Sequence, residues 1–279
     1  MTEASQATRV TQSYYDSEDA DTFYQEVWGG EDIHVGLYDE GDSIAAASRK
    51  TVAHMAACLV GLKEGARVLD LGSGYGGAAR YLAAQHGATV TCVNLSEVEN
   101  ARNRALNAAQ ELSGRIEVVH AAFEDIPVPD ATYDIAWSQD AFLHSADRAQ
   151  VLAEAARALK PGGELIFTDP MQIDDLEDAS ILQPIYDRIH LKDLASVGFY
   201  RSALEKLGLE EVRVEDMTPQ LVNHYARVRE ELTARRDGLA GRVSGDYIER
   251  MLAGLSHWVD AGKAGRLVWG VLHFRKPAD

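Results

Sequence analysis

The chain has 279 residues, 46% of them apolar, and a formal net charge of −17. These values fit one extended α/β domain with helical additions and a full core, and the acidic charge argues against nucleic acid as the main partner, because a phosphate backbone requires a basic face. No apolar run is long enough to span a membrane, and the polar, acidic N-terminus lacks the profile of a signal peptide, so we expect a cytoplasmic protein with no membrane partner.

From residue 67 onwards, strand-like and helix-like segments alternate along the chain. Apolar runs predict seven strands, at residues 67–71, 89–95, 116–121, 133–138, 164–168, 211–215 and 267–275. Helical periodicity predicts helices between them, at residues 78–86, 97–112, 148–159 and 201–207. Because strands that alternate with helices form parallel βαβ units, we predict a Rossmann-like, doubly wound α/β sheet with helices on both faces.

Three regions fall outside this alternation. Residues 1–62 form an N-terminal segment that we predict to be a helical lid over the substrate, ahead of a catalytic domain at 63–279. Insertions near 171–197 and 219–265 follow predicted strands. Such insertions usually build the substrate cover, so we expect both of them to act as a cap.

The two cysteines, Cys58 and Cys92, are too few for a disulfide framework, and their apolar surroundings predict buried structural thiols. No cluster of Cys and His has the spacing of metal ligands, so we predict no metal. The excess of 44 acidic over 27 basic residues fits either a solvated surface that aids solubility or adaptation to high salt, where self-repulsion is screened. We favour adaptation to high salt, because the excess is so large.

A glycine-rich turn joins the first predicted strand to the following helix. Gly72, Gly74 and Gly77 match the G-x-G-x-x-G pattern of dinucleotide-binding proteins, a weak signal that a bare structural turn would also produce. Asp70, just before the turn, separates the two kinds of cofactor. Its carboxylate would repel the diphosphate of a nicotinamide cofactor but suits the sulfonium and ammonium of S-adenosylmethionine.

Further motifs follow at ordinary spacing: FEDIP at 123–127, YDIAWS at 133–138 and LKPGGEL at 159–165. With the glycine turn, they resemble the class I S-adenosylmethionine-dependent methyltransferases over residues 67–168. The resemblance implies a seven-stranded sheet, S-adenosyl-L-methionine as methyl donor and S-adenosyl-L-homocysteine as product. It also implies that the glycine turn holds the methionine moiety, the end of the second strand the ribose, and the loop after the third strand the adenine.

Two positions depart from the family pattern. Asn94 stands where an acidic ribose ligand is usual, but its amide oxygen can still accept a hydrogen bond from a ribose hydroxyl. Ala122 replaces a common acidic residue, so we predict that adenine stacks on Phe123 and that Glu124 or backbone groups meet its amino group. The predicted cofactor-binding residues are Tyr15, Asp70, Gly72, Ser73, Gly74, Gly76, Asn94, Leu95, Ser96, Ala122, Phe123, Glu124 and Gln139.

Residues 14–38 are dense in aromatic side chains, which either pin an N-terminal helix to the domain or face a cationic methylated amine. With WSQDAFLHS at 137–145, FTDPMQ at 167–172 and QPIYDRIHL at 183–191, this segment is similar to the sarcosine/dimethylglycine N-methyltransferases of salt-tolerant microbes. The resemblance implies a small methylated glycine as substrate. It further implies the N-methylation of sarcosine and N,N-dimethylglycine to glycine betaine, an osmoprotectant.

Methyl transfer is an in-line displacement that needs a neutral amine, whereas these substrates are ammonium zwitterions in neutral water. His144, which follows the carboxyl end of a strand, is the predicted catalytic base. Asp140, one helical turn earlier, is predicted either to orient its imidazole or to offset the positive charge that grows on nitrogen. Asp169, at the end of the next strand, could offset the charge on nitrogen or simply cap a turn.

The substrate carboxylate calls for an arginine or for neutral donors. Arg188 is our first choice, because its planar fork matches a carboxylate and it lies in a post-strand insertion. Arg49 and Arg201 are the alternatives, and a surface ion pair would account equally well for any of the three. The predicted substrate-binding residues are Tyr24, Trp28, His34, Asp169 and Arg188.

Three rival functions stay open at this stage. The Trp28-Gly29 pair and the pattern HVGLY at 34–38 also resemble O-methyltransferases that act on sugars or tocopherol-like phenols. The glycine turn admits a nicotinamide-dependent oxidoreductase, and a scaffold protein could bind adenosylmethionine without turnover. Both a monomer and a homodimer fit the sequence, as does either order of preference between sarcosine and dimethylglycine.

Overall fold

A computed structural model describes residues 18–189 and 191–278. The described residues form a seven-stranded sheet with the strand order β3-β2-β1-β4-β5-β7-β6. Its strands are β1 (Arg67–Leu71), β2 (Thr89–Asn94), β3 (Ile116–His120), β4 (Tyr133–Gln139), β5 (Leu159–Gln172), β6 (Glu210–Asp216) and β7 (Leu267–Arg275). β7 pairs antiparallel with β5 and β6, and the other neighbours pair in parallel. The predicted Rossmann-like, seven-stranded sheet is confirmed.

The four helices predicted between the strands are present, and their ends differ from the predicted ends by at most four residues. The described helices are α1 (Glu18–Phe23), a π-helix (Tyr24–Trp28), α2 (Ile44–Cys58), α3 (Gly77–His86), α4 (Glu97–Ala109), α5 (Arg148–Ala158), α6 (Gln183–Arg188), α7 (Val197–Lys206), α8 (Thr218–Leu239) and α9 (Gly245–Lys263). Short 3-10 helices lie at Phe142–His144 and Ala179–Leu182. None of the described helices is both long and apolar enough to cross a membrane.

Two apolar cores cover the two faces of the sheet. Val68 and Leu69, neighbours in β1, point to opposite faces because side chains alternate along a strand. Val68 joins the core that α2 and α3 complete, and Leu69 joins the core that α5 and α7 complete. A third apolar cluster unites the π-helix, α6, α8 and α9, where the rings of Tyr225 and Trp258 stack with centroids 4.8 Å apart. This cluster forms a cap at the edge of the Rossmann-like core.

Three local details differ from the sequence expectation. The predicted break at residues 160–163 lies inside β5, because Gly162 donates to Lys276 O and Lys276 donates to Gly163 O, which continues the backbone pairing through the turn. α7 begins four residues earlier than predicted, since Ser196 Oγ accepts from Phe199 N and caps it. Cys92 is buried as predicted, but Cys58, the last residue of α2, is only half-buried.

Candidate active site

A cavity opens at the carboxyl ends of β1, β2 and β4, where the strand order reverses. Ligands of open α/β sheets bind at such a reversal. A larger part encloses about 580 Å³ and an adjoining part about 320 Å³, and Gly72, Gly74 and Gln139 line both. The larger part is also lined by Asn94, Leu95, Ser96 and Phe123, and the smaller part by Asp70 and Ser73. The fold thus brings nine of the predicted cofactor residues together.

The glycine turn keeps this cavity open. Gly72 has a φ of +75°, which L side chains rarely adopt, and a Cβ on it would lie 2.3 Å from the Cβ of Ala141. A Cβ on Gly76 would lie 2.2 Å from Oδ1 of Asn103 in α4. Gly76 therefore serves the packing of α3 against α4, and it does not line either part of the cavity.

The methionine side of the cavity contains polar atoms that lack partners among the described residues. Asp70 is 3% exposed, and its Oδ2 accepts no hydrogen bond there. Burial raises the pKa of Asp70 to about 7, against the opposing effect of His34. Ser73 Oγ and Gln139 Nε2 are likewise unpartnered. A buried carboxylate in this state suits the α-ammonium of S-adenosylmethionine, because the cation would supply the missing donors.

On the ribose side, α4 supplies an acidic residue that sequence reasoning missed. Asn94 Nδ2 donates to Oε2 of Glu99 over 2.8 Å, and Glu99 itself lines the cavity. The hydrogen bond fixes the orientation of the Asn94 amide. Glu99 also places an acidic side chain near the position where the family pattern has an acidic residue and this chain has Asn94. A capping box marks Glu99 in the sequence, since Ser96 caps α4 and Glu99 follows three residues later.

On the adenine side, the cavity is lined by Leu95, Phe123 and Ala141. Glu124, predicted to meet the adenine amino group, instead accepts from Ser145 Oγ over 2.6 Å and does not line the cavity. Ala122 does not line it either, which leaves backbone groups for the amino group. Tyr15 lies outside the described residues.

His34 lies among carboxylates beside the methionine side of the cavity. Its Nε2 is 3.9 Å from Oδ1 of Asp32, and Asp32 also contacts Arg49 Nη2 at 2.8 Å. Burial lowers the pKa of His34, but Asp32 and Asp140 outweigh it, so the pKa is raised overall. His34 thus lines the part of the cavity that also contains Asp70, whereas we had expected only a substrate contact. Neither Asp32 nor Arg49 was predicted in this setting.

Asp140 does not lie one helical turn before His144, and that expectation is wrong. The 3-10 helix begins only at Phe142, and Asp140 adopts a φ of +51°. Its two carboxylate oxygens accept from Val35 N over 2.7 Å and from Trp269 Nε1 over 2.8 Å. Asp140 therefore joins the N-terminal segment to β7 at the rim of the cavity.

His144 closes the 3-10 helix and lines the cavity. Burial, together with the positive charges of Arg148 and Arg188, lowers its pKa to about 4. The imidazole is consequently neutral at neutral pH and can accept a proton. Its role as base stays a prediction.

Asp169 lies within β5, not at its end, because the strand continues to Gln172. Its Oδ1 accepts from Leu143 N over 3.1 Å and its Oδ2 from the hydroxyl of Tyr200 over 2.7 Å. Burial raises the pKa of Asp169 to about 7. Since both oxygens are engaged, Asp169 anchors the 3-10 helix that carries His144.

The three candidate arginines differ in their partners. Arg201 pairs with Glu211 at 2.7 Å, and Arg49 pairs with Asp32. Arg188, at the end of α6, has no carboxylate of the described residues within 4.0 Å, and its Nε is buried without a hydrogen-bond partner there. A partly buried guanidinium that also acts on His144 is the better site for a substrate carboxylate.

Tyr24 and Trp28 are buried in the cap cluster, 6% and 5% exposed. The Trp28 ring lies 4.8 Å from that of His224 in α8, and its Nε1 has no hydrogen-bond partner among the described residues. Burial lowers the pKa of His224 to about 3, so this second histidine, which sequence reasoning missed, is neutral. Tyr24 and Trp28 therefore fix the N-terminal segment against the cap cluster.

A family model described as a methyltransferase domain matches residues 69–167. With the seven-stranded sheet and the buried Asp70 beside its glycine turn, the match defines an S-adenosyl-L-methionine-dependent methyltransferase of class I. This class excludes the nicotinamide-dependent oxidoreductase.

Particular relatives narrow the class. The chain is 54% identical to a sarcosine/dimethylglycine N-methyltransferase of Halorhodospira halochloris over 97% of both chains, and 48% identical to one of Aphanothece halophytica over 99% and 100%. A solved structure from Galdieria sulphuraria, assigned as a sarcosine dimethylglycine methyltransferase, superposes with a TM-score of 0.90 at 45% identity and covers 95% of this chain and 100% of its own. The chain belongs to the sarcosine/dimethylglycine N-methyltransferase family.

Proposed function

We propose that this enzyme methylates the nitrogen of sarcosine and of N,N-dimethylglycine and so forms glycine betaine. The observation that carries the proposal is identity of about half over nearly the full length of relatives with that named activity. Arg188, which forms no ion pair with a carboxylate of the described residues, supports it, because a sugar or a phenol would offer this guanidinium no carboxylate. A cytoplasmic location stays a prediction from composition.

In the proposed mechanism, bound S-adenosylmethionine supplies an electrophilic methyl group. Asp70 would face its ammonium, Asn94 and Glu99 would face the ribose hydroxyls, and Leu95 and Phe123 would exclude water around the adenine. These residues would hold the methyl donor in one orientation, which is the main requirement of an in-line displacement.

Arg188 and His144 divide the work on the amino acid. Arg188 pairs with the substrate carboxylate and thereby sets the distance of the amine from the cavity. Pairing also neutralises one of the two cations that depress the pKa of His144, so the imidazole becomes more basic once the substrate is bound. His144 can then take the ammonium proton and leave the lone pair that attacks the methyl group.

We further propose that residues 1–62 act as a lid on a methyltransferase domain at 63–279, with the insertions near 171–197 and 219–265 as a cap. Two contacts support the placement of this lid over the cavity: the hydrogen bond from Val35 N to Asp140, and the packing of the π-helix on α8. Such a lid would exclude water from the reacting nitrogen.

The test is incubation with S-adenosylmethionine and, separately, glycine, sarcosine, dimethylglycine, phosphoethanolamine, a neutral sugar or a tocopherol-like phenol, with detection of products by mass. We expect sarcosine and dimethylglycine to gain methyl groups and the last three to be inert. Methylation of a sugar or phenol, without any of dimethylglycine, would overturn the proposal.

A further inference from the structure

A second group of chemically reactive side chains lies away from the residues that line the cofactor cavity. His54 and Cys58 are four residues apart in α2 and so lie on one face of that helix, opposite Glu215 of the edge strand β6. Their ligand atoms all lie within 4.8 Å of one another, and no other group of three in the described part of the chain does so. His54 Nε2 is 2.6 Å from Oε2 of Glu215.

We propose that His54, Cys58 and Glu215 form a binding site for a divalent transition-metal ion of the zinc type. Imidazole nitrogen, thiolate sulfur and carboxylate oxygen are the ligands that Zn²⁺ prefers. Three protein ligands leave the fourth position of a tetrahedron to water.

The spacing suits this geometry. Bonds of about 2.0 to 2.3 Å in a tetrahedron separate the ligand atoms by roughly 3.3 to 3.6 Å. His54 Nε2 and Glu215 Oε2, now 2.6 Å apart, must separate by roughly 0.7 to 1 Å. The other pairs, which lie within 4.8 Å, must approach by at most about 1.2 to 1.5 Å. The side chains of His54 and Glu215 are about one-third exposed, at 31% and 28%, so they can make these adjustments and an ion can reach them.

Arg213 is the natural competitor of such an ion. Its Nη1 lies 2.9 Å from Oε1 of Glu215 and 3.8 Å from the sulfur of Cys58. The guanidinium thus forms an ion pair with one proposed ligand, Glu215, and contacts the thiol of a second, Cys58. Because the Arg213 side chain is 51% exposed, it can turn into solvent when a metal ion replaces its charge.

The competition makes a specific prediction for zinc titrations of the full chain. The wild type should bind one equivalent, and Cys58→Ser or Glu215→Gln should weaken binding roughly tenfold or more. Arg213→Gln should tighten binding, although it adds no ligand. His120→Ala, which removes an exposed histidine from β3 at the opposite edge of the sheet, should change nothing. Retained binding of S-adenosylmethionine verifies the fold of each variant.

Thiol chemistry provides an independent measurement. Zinc should protect Cys58 from alkylation by iodoacetamide in the wild type but not in Glu215→Gln, while the buried Cys92 stays unmodified in both. Cobalt(II) should add the near-ultraviolet absorption of a thiolate ligand, and Cys58→Ser should lack it. Absence of stoichiometric zinc binding, or equal affinity in the wild type, Cys58→Ser and Arg213→Gln, would overturn the site and leave the methyltransferase activity untouched.

Discussion

At the scale of single residues, the proposed site pairs charged side chains of this enzyme with opposite charges on its ligands. Asp70 is a carboxylate whose missing donors an ammonium can supply, and Arg188 is a guanidinium whose missing acceptors a carboxylate can supply. The neutral His144 lies close enough to Arg188 for the two to interact electrostatically. In the proposed function, the ligands would compensate the cost of leaving Asp70 and Arg188 without a charged partner.

Asp70 should make cofactor binding depend on pH. Because its pKa is about 7, Asp70 is mostly protonated in the free enzyme below that pH. A bound ammonium requires the ionised carboxylate. The affinity for S-adenosylmethionine should therefore rise between about pH 6 and pH 8. Calorimetry across this range measures it.

Asp70→Asn should weaken binding by about 1.5–3 kcal/mol and flatten the pH dependence. Asp130→Asn, at a carboxylate that is 75% exposed, is the matched control and should leave both unchanged. If the asparagine variant at position 70 keeps the wild-type affinity, Asp70 does not meet the ammonium.

Arg188→Ala should chiefly raise the apparent KM for dimethylglycine, by roughly tenfold to a hundredfold, because a distal carboxylate is held in ground and transition states alike. His144→Ala should instead lower kcat, by about 10²-fold, the low end for a general base whose pKa lies well below neutrality. Steady-state kinetics distinguish the two effects. Arg201→Ala, which breaks the ion pair with Glu211, is the control. Full activity of His144→Ala across pH would leave selection of the neutral amine to binding alone.

At the scale of elements, the 3-10 helix Phe142–His144 depends on a strand and a helix that are distant in sequence. Asp169 of β5 holds the amide of Leu143, and Tyr200 of α7 holds Asp169. Asp169, which was predicted to contact the substrate, thus supports the 3-10 helix that carries His144.

Tyr200→Phe should test this support. It removes the donor from a fully buried carboxylate oxygen, so the free energy of unfolding should fall by about 1–3 kcal/mol. Asp169 would lose a hydrogen bond that stabilises its ionised form, so its pKa should rise further. Denaturant titration measures the first effect, with Tyr81→Phe in α3 as the control. A variant as stable as the wild type would show that Asp169 finds another donor.

At the scale of the whole molecule, two buried carboxyl groups with raised pKa values make the free energy of unfolding depend on pH. Asp70 and Asp169 both titrate near pH 7 when folded and near 3.8 otherwise. Their contribution to stability is complete below the unfolded pKa and is lost as the pH rises through the folded pKa. Bound S-adenosylmethionine should offset the part that belongs to Asp70.

The net charge of −17 leads to a prediction about salt. Moderate sodium chloride should raise or preserve the melting temperature, because it screens repulsion among surface carboxylates. Thermal melts from low to moderate salt, at fixed pH and without cofactor, measure this. A melting temperature that falls steadily over that range would contradict adaptation to high salt.

The sequence by itself determined the sheet and the cofactor turn, since both depend on local patterns. Apolar runs and glycines report strands and a tight turn within a few residues, and β1 and β7 begin and end where they were predicted. The same local motifs carried the resemblance to the family, and the resemblance predicted the activity.

Only the tertiary structure decided what the polar side chains do. Asp140 and Asp169 occupy positions typical of active-site carboxylates, yet their partners are Val35, Trp269 and Tyr200, which lie 31 to 129 residues away. Hydrogen bonds of this range leave no periodicity in the sequence. The same holds for Arg188, which we propose as the carboxylate anchor because no carboxylate of the described residues forms an ion pair with it.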